Sequence, residues 1–455
     1  MTSPHPAPGR PLPPTLSITS PEDILVYVPH ALGFTPQESL VVLTTANGRL
    51  GATLRVDLPA EGADPLGFVQ GVLSFLLGDT EADATLVIVY TGHPWPRLSP
   101  PVFDELVAHL EAVLAAAGMP VRAGWLASPA HWRDYFCRDE RCCPWPGAPL
   151  DDLTHSLLGA ELVFAGSSFD ASAPAAVLRG APELIRADPV AVEAGDVEDA
   201  RVHYASRCEG RWDTPEQFAA TSASWDAVVG GPEPLRTDTE AQLTGFLLAS
   251  IESRTVRDFL LVSACLGSAA ALAGARACGL LVGGPRPRPR PGDAGTDADA
   301  DADAETDADA VVVDVGASRR AVGTLAPAGA APAAPAGGPG PGPEFLYAEV
   351  LAGRYAGPIL WARVDAMASL LARLAVVSSG ESRAAALTMA AWFDYARGRG
   401  SRAAVLLDAA QEAVPGYRLA RLLDELLRRG GLPVWARSRS TAWCPEGGRL
   451  GEGCP

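Results

Sequence analysis

Residues 39–58 have the sequence SLVVLTTANGRLGATLRVDL, and this stretch decides the fold of the first part of the chain. Residues 39–45 and 51–58 are rich in β-branched and other apolar side chains, which is typical of strands. Asn47 and Gly48 lie between the two runs and readily take the positive φ angles of a tight turn. The stretch therefore predicts a β-hairpin.

The segments after the hairpin alternate between helix and strand patterns. Asp64 supplies an N-cap acceptor, Pro65 suits the first helical position, and apolar residues then recur at spacings of three and four. Residues 100–117 carry a second apolar helical stripe. Two continuous apolar runs have the character of buried strands, residues 84–90 and 121–127. The order hairpin, helix, strand, helix, strand predicts an α/β domain over residues 15–212, with a mixed sheet covered by helices.

A second, all-helical domain is predicted from residues 238–283 and 344–437, where apolar residues recur at helical spacing. Residues 284–343 between them contain a Pro-Arg repeat, an acidic Asp-Ala repeat and a tract of Ala, Pro and Gly. Such a composition buries too little apolar surface to offset the entropy of ordering, so a disordered insertion is predicted. Residues 311–315 form a strand-like run inside it, to which the sequence assigns no role. Two flexible tails are also predicted, residues 1–14, which are Pro-rich, and 438–455.

The composition excludes several classes of protein. The net charge is -18, and all 36 basic residues are arginine. Binding to a nucleic-acid backbone needs a basic face, so no nucleic-acid partner is expected. No run of about eighteen apolar residues predicts a membrane helix, and the N-terminus lacks the basic-then-apolar pattern of a signal peptide. We therefore expect a cytoplasmic protein with no membrane partner, and cysteines that are mostly free thiols.

Three of the eight cysteines lie within seven residues, Cys137, Cys142 and Cys143. They are candidate thiolate ligands for zinc. Zinc motifs usually repeat a pair of cysteines two to four residues apart, however, and adjacent cysteines rarely bind one ion together. Two alternatives remain open, a redox-active or nucleophilic thiol and a structural loop with small apolar cysteines, and the spacing favours the structural loop. Candidates for a fourth metal ligand are His131, His155, His203 and Cys208.

These alternatives differ in the geometry that they predict for the cysteine loop. A structural loop requires at least one of the three cysteines to be buried beside Trp132, Tyr135 or Trp145. A metal site requires at least two sulfur atoms to converge, with a histidine or Cys208 close by. A nucleophile requires an exposed thiol whose pKa is lowered by a nearby arginine.

One further pattern bears on function. Ala403, Leu407, Ala410 and Pro415 have the spacing of the second helix of a tetratricopeptide unit. Only one such unit is visible in the sequence, whereas stable arrays need about three, so a helical hairpin with an interaction surface is predicted. No nucleophile elbow or calcium loop is present. The leading hypothesis is a non-catalytic binding or regulatory protein with a protein partner or small ligand. The alternative is a thiol- or zinc-dependent enzyme centred on the loop of Cys137, Cys142 and Cys143.

Three segments are distinctive when taken together: residues 20–42 with 55–58, residues 132–137 with 142–144 and Gly147, and the helical run of residues 391–423. Together they resemble an actinobacterial family known only as domain of unknown function 4192. The resemblance implies a cytoplasmic protein with no established activity. It therefore adds a family to the hypotheses above without adding a mechanism.

Overall fold

The computed structural model of the protein covers residues 18–444 except for several gaps. The described residues leave out 61, 94, 96, 98–99, 179–193, 232–233, 238–239, 282–309, 314–341, 429–431 and 439. The predicted disordered insertion, residues 284–343, and the two predicted tails therefore fall mostly outside the described part of the chain.

The chain divides into two units. An α/β unit comprises Met1–Ala176 and Arg437–Pro455, and a helical unit comprises Val177–Ala436. The helical unit begins before residue 212, where the sequence places the end of the α/β domain. The reason is that the helices directly after Val177 bury their apolar side chains in the helical core.

The hairpin that the sequence predicts starts the sheet of the α/β unit. Strand β1 (Ser39–Ala46) pairs with β2 (Arg49–Asp57), and the turn residues Asn47 and Gly48 have φ angles of 53° and 76°. Four more strands follow, β3 (Ala84–Tyr90), β4 (Val121–Ala127), β5 (His131–Asp134) and β6 (Ala148–Pro149). The strand order is β2-β1-β3-β4-β5-β6, with β3 and β4 parallel and the other neighbours antiparallel. The predicted mixed sheet is thus confirmed.

Helices cover both faces of this sheet. They are α1 (Pro21–Leu32), α2 (Pro65–Leu76) and α3 (Asp104–Ala116). Alternate side chains of β1 point to opposite faces, because the side-chain period of a strand is two. Leu40 and Val42 join the core beneath α2 and α3, while Val41 and Leu43 join the core beneath α1. The β-rich sequence of β1 therefore serves two apolar cores at once.

The last turn of α1 is tied to a later segment of the same unit. A short 3₁₀ helix (Leu150–His155), α4 (Leu157–Phe164) and α5 (Ala173–Leu178) follow the sheet. Between α4 and α5, the Ser167 hydroxyl lies 2.9 Å from Nδ1 of His30, and the Phe169 ring packs edge-on against the imidazole. Burial lowers the pKa of His30. The fold therefore favours the neutral imidazole.

This preference predicts a loss of stability in acid. As pH falls through about 6.5, the ordinary pKa of histidine, the unfolded chain takes up a proton before the folded chain does, so the free energy of unfolding decreases. Above that pH the contribution of His30 is fully present. We expect His30→Asn to remove this part of the difference in melting temperature between pH 7 and pH 5. The matched change His109→Asn, at a half-buried position of α3, should leave that difference in place.

The helical unit is built from ten helices in the described part of the chain. They are α6 (Ala194–Arg207), α7 (Pro215–Val229), α8 (Ala241–Glu252), α9 (Arg254–Leu266), α10 (Ser268–Ala277), α11 (Pro343–Leu351), α12 (Trp361–Val376), α13 (Gly380–Ala396), α14 (Gly400–Ala413) and α15 (Arg418–Arg428). Every residue from Ser382 to Ala396 is buried, because α13 is packed against α8, α9, α12, α14 and α15. Helix α13 is therefore the centre of the unit. None of the helices in the described ranges is long and apolar enough to span a bilayer.

Part of the strand-like run inside the predicted insertion is docked in the helical unit. Val311 and Val313 are buried and belong to its apolar core, whereas Val312 is 71 % exposed. The side-chain amide of Gln217 on α7 forms hydrogen bonds with both main-chain polar groups of Val311. The sequence assigned no role to this run. In the structure its first three residues, 311–313, pack as part of the helical unit.

Candidate functional site

The cysteine loop begins where β5 ends and is shaped by two aspartates. Oδ1 of Asp134 accepts hydrogen bonds of 2.8 Å from the main-chain N–H groups of Phe136 and Cys137. The carbonyl oxygen of Asp139 accepts from the N–H groups of Cys142 and Cys143, at 3.1 and 2.8 Å. Oδ1 of Asp139 also accepts a hydrogen bond from the main-chain N–H of Arg141, so the chain reverses its direction here. The turn brings Cys142 and Cys143 back towards Cys137.

Arg133 holds the two ends of this loop together. Its guanidinium donates to the carbonyl oxygens of Cys137 and Cys143 at 3.3 and 3.4 Å. The same guanidinium lies 4.6 Å from the ring centroid of Trp95 and 5.9 Å from that of Trp145. Cation–π contacts of this kind are stronger when the cation is partly removed from water, as Arg133 is. Arg133 therefore fixes the loop against the aromatic core.

Further contacts attach the loop to the connection between β3 and α3. The hydroxyl of Tyr135, which is buried, donates to the carbonyl oxygen of Val102 at 2.6 Å. Arg97 and Glu140 form a two-point ion pair, with both distances 2.8 Å. Both of those side chains are exposed, so this pair contributes orientation more than stability. The loop is thus held on a defined surface of the α/β unit.

Gly147 at the end of the loop is required by a close approach of the chain. Its φ angle is +125°, and a Cβ atom at this position would overlap the carbonyl oxygen of Trp132. Only glycine adopts this conformation without strain. The glycine returns the chain from the loop to β6.

The three cysteines converge. The sulfur atoms of Cys137, Cys142 and Cys143 all lie within 4.8 Å of one another. Sulfur atoms bound at about 2.3 Å to one tetrahedral ion are separated by about 3.8 Å, so small side-chain rotations bring this group to a ligand geometry. Cys137 and Cys143 are half-buried and Cys142 is exposed. A purely structural loop predicts that at least one of the three cysteines is buried. None of them is.

The expected fourth ligand does not join this group. No other His, Cys, Asp or Glu ligand atom of the described residues lies within 4.8 Å of all three sulfurs. Cys208 is fully buried in the core of the helical unit, and His203 lies on α6 of that unit. Three protein ligands leave a position for water or another exogenous donor, as in catalytic zinc sites, whereas structural sites close with four.

The electrostatics of the loop oppose a nucleophilic role for Cys143. Partial burial, together with the neighbouring thiols of Cys137 and Cys142, raises the pKa of Cys143 to about 11. A reactive thiol needs the opposite shift, because the thiolate is the nucleophile. Metal binding would instead displace the proton from this thiol. Elsewhere in the described ranges Cys265 and Cys278 are free thiols, and Cys444 is disulfide-bonded.

Two further pairs of charged side chains form ordinary ion pairs away from the cysteine loop. Arg55 and Asp57 on β2 form an ion pair of 2.5 Å, and Arg254 pairs with Asp258 on α9 at 3.7 Å. The contact of Arg133 with Trp95, by contrast, was not predicted, since the two residues are far apart in sequence. Asp134 and Asp139 could have predicted the turns of the loop from sequence, because aspartate side chains often accept hydrogen bonds from main-chain N–H groups two residues further on.

Comparison with known proteins gives one match. A family model described as a domain of unknown function (DUF4192) matches residues 21–278 and 288–433. These ranges include the sheet, the cysteine loop and most of the helical unit. No curated protein and no solved structure matches the chain.

Proposed function

Because the chain belongs to the DUF4192 family, whose description assigns no activity, we propose a function from the geometry of its own residues. The proposal is that Cys137, Cys142 and Cys143 bind a thiophilic metal ion, with zinc as the leading candidate. The observation that carries it is the convergence of the three sulfur atoms, which lie within 4.8 Å of one another. The loop that bears them is fixed by the contacts of Arg133 with its carbonyl groups and with Trp95. Thiolates are soft ligands and favour zinc over magnesium or calcium.

The surroundings of the loop support this proposal in two ways. The contacts of Arg133 and the two aspartate turns hold the loop mainly through its main-chain groups, and among the three thiols only that of Cys137 adds a long contact, 3.8 Å from the carbonyl oxygen of Asp139. The thiols therefore remain available to an ion. Three thiolates and one divalent ion together carry a net charge of about -1. The guanidinium of Arg133 supplies a compensating positive charge next to them.

The test is elemental analysis of the full-length protein after incubation with zinc and a non-thiol reductant. We expect about one equivalent of zinc, and its loss in Cys137→Ser, Cys142→Ser and Cys143→Ser. Cys278→Ser is the matched control, because Cys278 is also an exposed free cysteine but lies outside the loop. A native protein that retains no more zinc than the loop variants contradicts the proposal.

A related prediction concerns Arg133. In Arg133→Met the apolar stem is kept, but the hydrogen bonds to the two loop carbonyls and the cation–π contact with Trp95 are lost. We expect zinc affinity to fall about 10- to 100-fold, the usual effect of removing a group that orients metal ligands. Competition with a chromophoric chelator measures this change. Arg122→Met on β4, an exposed position, should leave the affinity unchanged.

The sequence also suggests a non-catalytic partner-binding role for the tetratricopeptide-like hairpin. Ala403, Leu407 and Ala410 are buried on α14, which packs against α13. Because α13 is buried on all sides, it has no open face for a partner. The cysteine loop therefore has the stronger geometric support.

A further inference from the structure

The docking of residues 310–313 has the features of peptide recognition. Nε2 of Gln217 donates to the carbonyl oxygen of Val311 at 3.0 Å, and the N–H of Val311 donates to Oε1 of Gln217 at 2.7 Å. One side-chain amide thus occupies both main-chain groups of one residue, as a neighbouring strand does in a β-ladder. Such a contact recognises an extended main chain whatever its side chains are.

The side chains of the segment add the second element of recognition. Val311 and Val313 are 7 % and 4 % exposed, and Val312 between them is 71 % exposed. This alternation is the side-chain period of an extended chain. Main-chain hydrogen bonds with pockets for alternate side chains are the features of strand-type peptide binding. The site thus selects two apolar residues separated by one residue of any kind.

Gln217 is positioned for this role by its own helix. Its side chain is completely buried, and Nε2 also lies 3.4 Å from the hydroxyl of Thr221, one turn further along α7. The Thr221 hydroxyl in turn donates to the main-chain oxygen of Gln217 at 2.8 Å. A buried amide is costly unless its donor and acceptor are satisfied. The docked segment satisfies both of them.

We propose that α7 and the adjoining core of the helical unit form a binding site for an extended segment of a partner protein. The ligand class is a peptide with β-branched apolar residues at alternate positions, and residues 310–313 occupy the site in cis. This inference is independent of the metal centre and of the hairpin formed by α13 and α14. Residues 310–313 are tethered to the site and compete at an effective concentration on the order of 1 mM. A partner segment therefore binds only if its affinity overcomes this competition, or if the cis segment has already left the site.

The test uses the full-length chain and a fluorescein-labelled peptide with the sequence of residues 307–316, DADAVVVDVG. In the double variant Val311→Asp/Val313→Asp the cis segment is disabled. We expect saturable binding of the peptide, with an apparent Kd at least tenfold lower than for the native chain. Val312→Asp adds the same charge at the exposed position and should behave as the native chain does. A peptide carrying aspartate at the two buried positions should not bind.

A further substitution assigns the binding to α7. Adding Gln217→Leu to the double variant should weaken peptide binding at least tenfold, since the peptide main chain then has no amide partner. Unchanged binding overturns the site. Absence of saturable binding to a folded double variant at peptide concentrations up to 1 mM overturns it as well.

A second measurement covers the case in which the double variant does not fold. Protease sites are placed within residues 282–309 and 314–341 of the native chain, which is folded first and then cleaved on both sides of the docked segment. We expect the labelled peptide to bind at least tenfold more tightly after cleavage than before it, and to displace the excised segment. Failure to exchange at 1 mM peptide overturns the proposal. If the uncleaved chain forms a dimer in which each copy docks residues 310–313 of the other, the ligand is a second copy of this chain. That result would overturn the proposal of a different partner protein.

Discussion

Replacing residues 310–313 by Gly-Ser-Gly-Ser is expected to lower the free energy of unfolding of the helical unit by about 2–4 kcal/mol. Burial of each valine contributes about 1.5–3 kcal/mol, and the abandoned amide of Gln217 adds about 1–3 kcal/mol of desolvation cost. The freedom regained by four released residues offsets part of this sum. For a unit of this size, the melting temperature should fall by roughly 5–10 °C.

Val312→Ser is the matched control for this replacement. It changes the same segment at its exposed position, so the free energy of unfolding should change by less than about 0.5 kcal/mol. Thermal unfolding followed by circular dichroism compares the two variants. If their melting temperatures agree, docking of the segment does not stabilise the unit.

Gly245→Ala should destabilise the helical unit by about 2–4 kcal/mol or more. A Cβ atom on Gly245 of α8 would lie 2.5 Å from Cβ of Ala200 and 2.6 Å from the main-chain nitrogen of Arg201, both on α6. Main-chain atoms cannot rotate away, so the two helices must separate. Separation also disturbs Arg201, which pairs with Glu198 on α6 and with Glu252 on α8 at 2.6 Å each. Denaturant unfolding measures the loss.

Gly195→Ala is the control for this substitution. Gly195 lies on α6 as well, and a Cβ atom there would meet nothing within 4 Å. Alanine is the better helix former, so the free energy of unfolding should stay the same or rise by up to about 1 kcal/mol. Equal behaviour of the two variants would show that the crossing of α6 and α8 can widen without cost.

Local signals predicted much of the sheet. The Asn47-Gly48 turn, the N-cap at Asp64 and the two apolar strands were confirmed, because each depends on a few adjacent residues. Strands β5 and β6 were not predicted, since they are too short to show a period. Helix α1 was missed although Ser20 and Asp23 form a capping box, a signal that the sequence does contain.

The sites depend on contacts between distant residues, which no local pattern encodes. The sequence identified Cys137, Cys142 and Cys143 but not their convergence, which depends on the placement of Arg133 against Trp95. The docking of Val311 depends on Gln217, and these residues are 94 positions apart. An alternating run of valines in a polar tract indicates a strand without indicating what it binds.

The central position of α13 also constrains how the helical unit can be made. Helices α8 and α9 leave the ribosome well before α13, which they pack against, and the tract around residues 282–341 is synthesised in between. The nascent chain therefore carries exposed apolar helix faces until α13 emerges, a state that invites aggregation or capture by chaperones. Ribosome-bound chains that end before Gly380 should consequently be sensitive to protease in their helical part. Chains long enough for α13 and α14 to have emerged completely from the ribosome should be resistant.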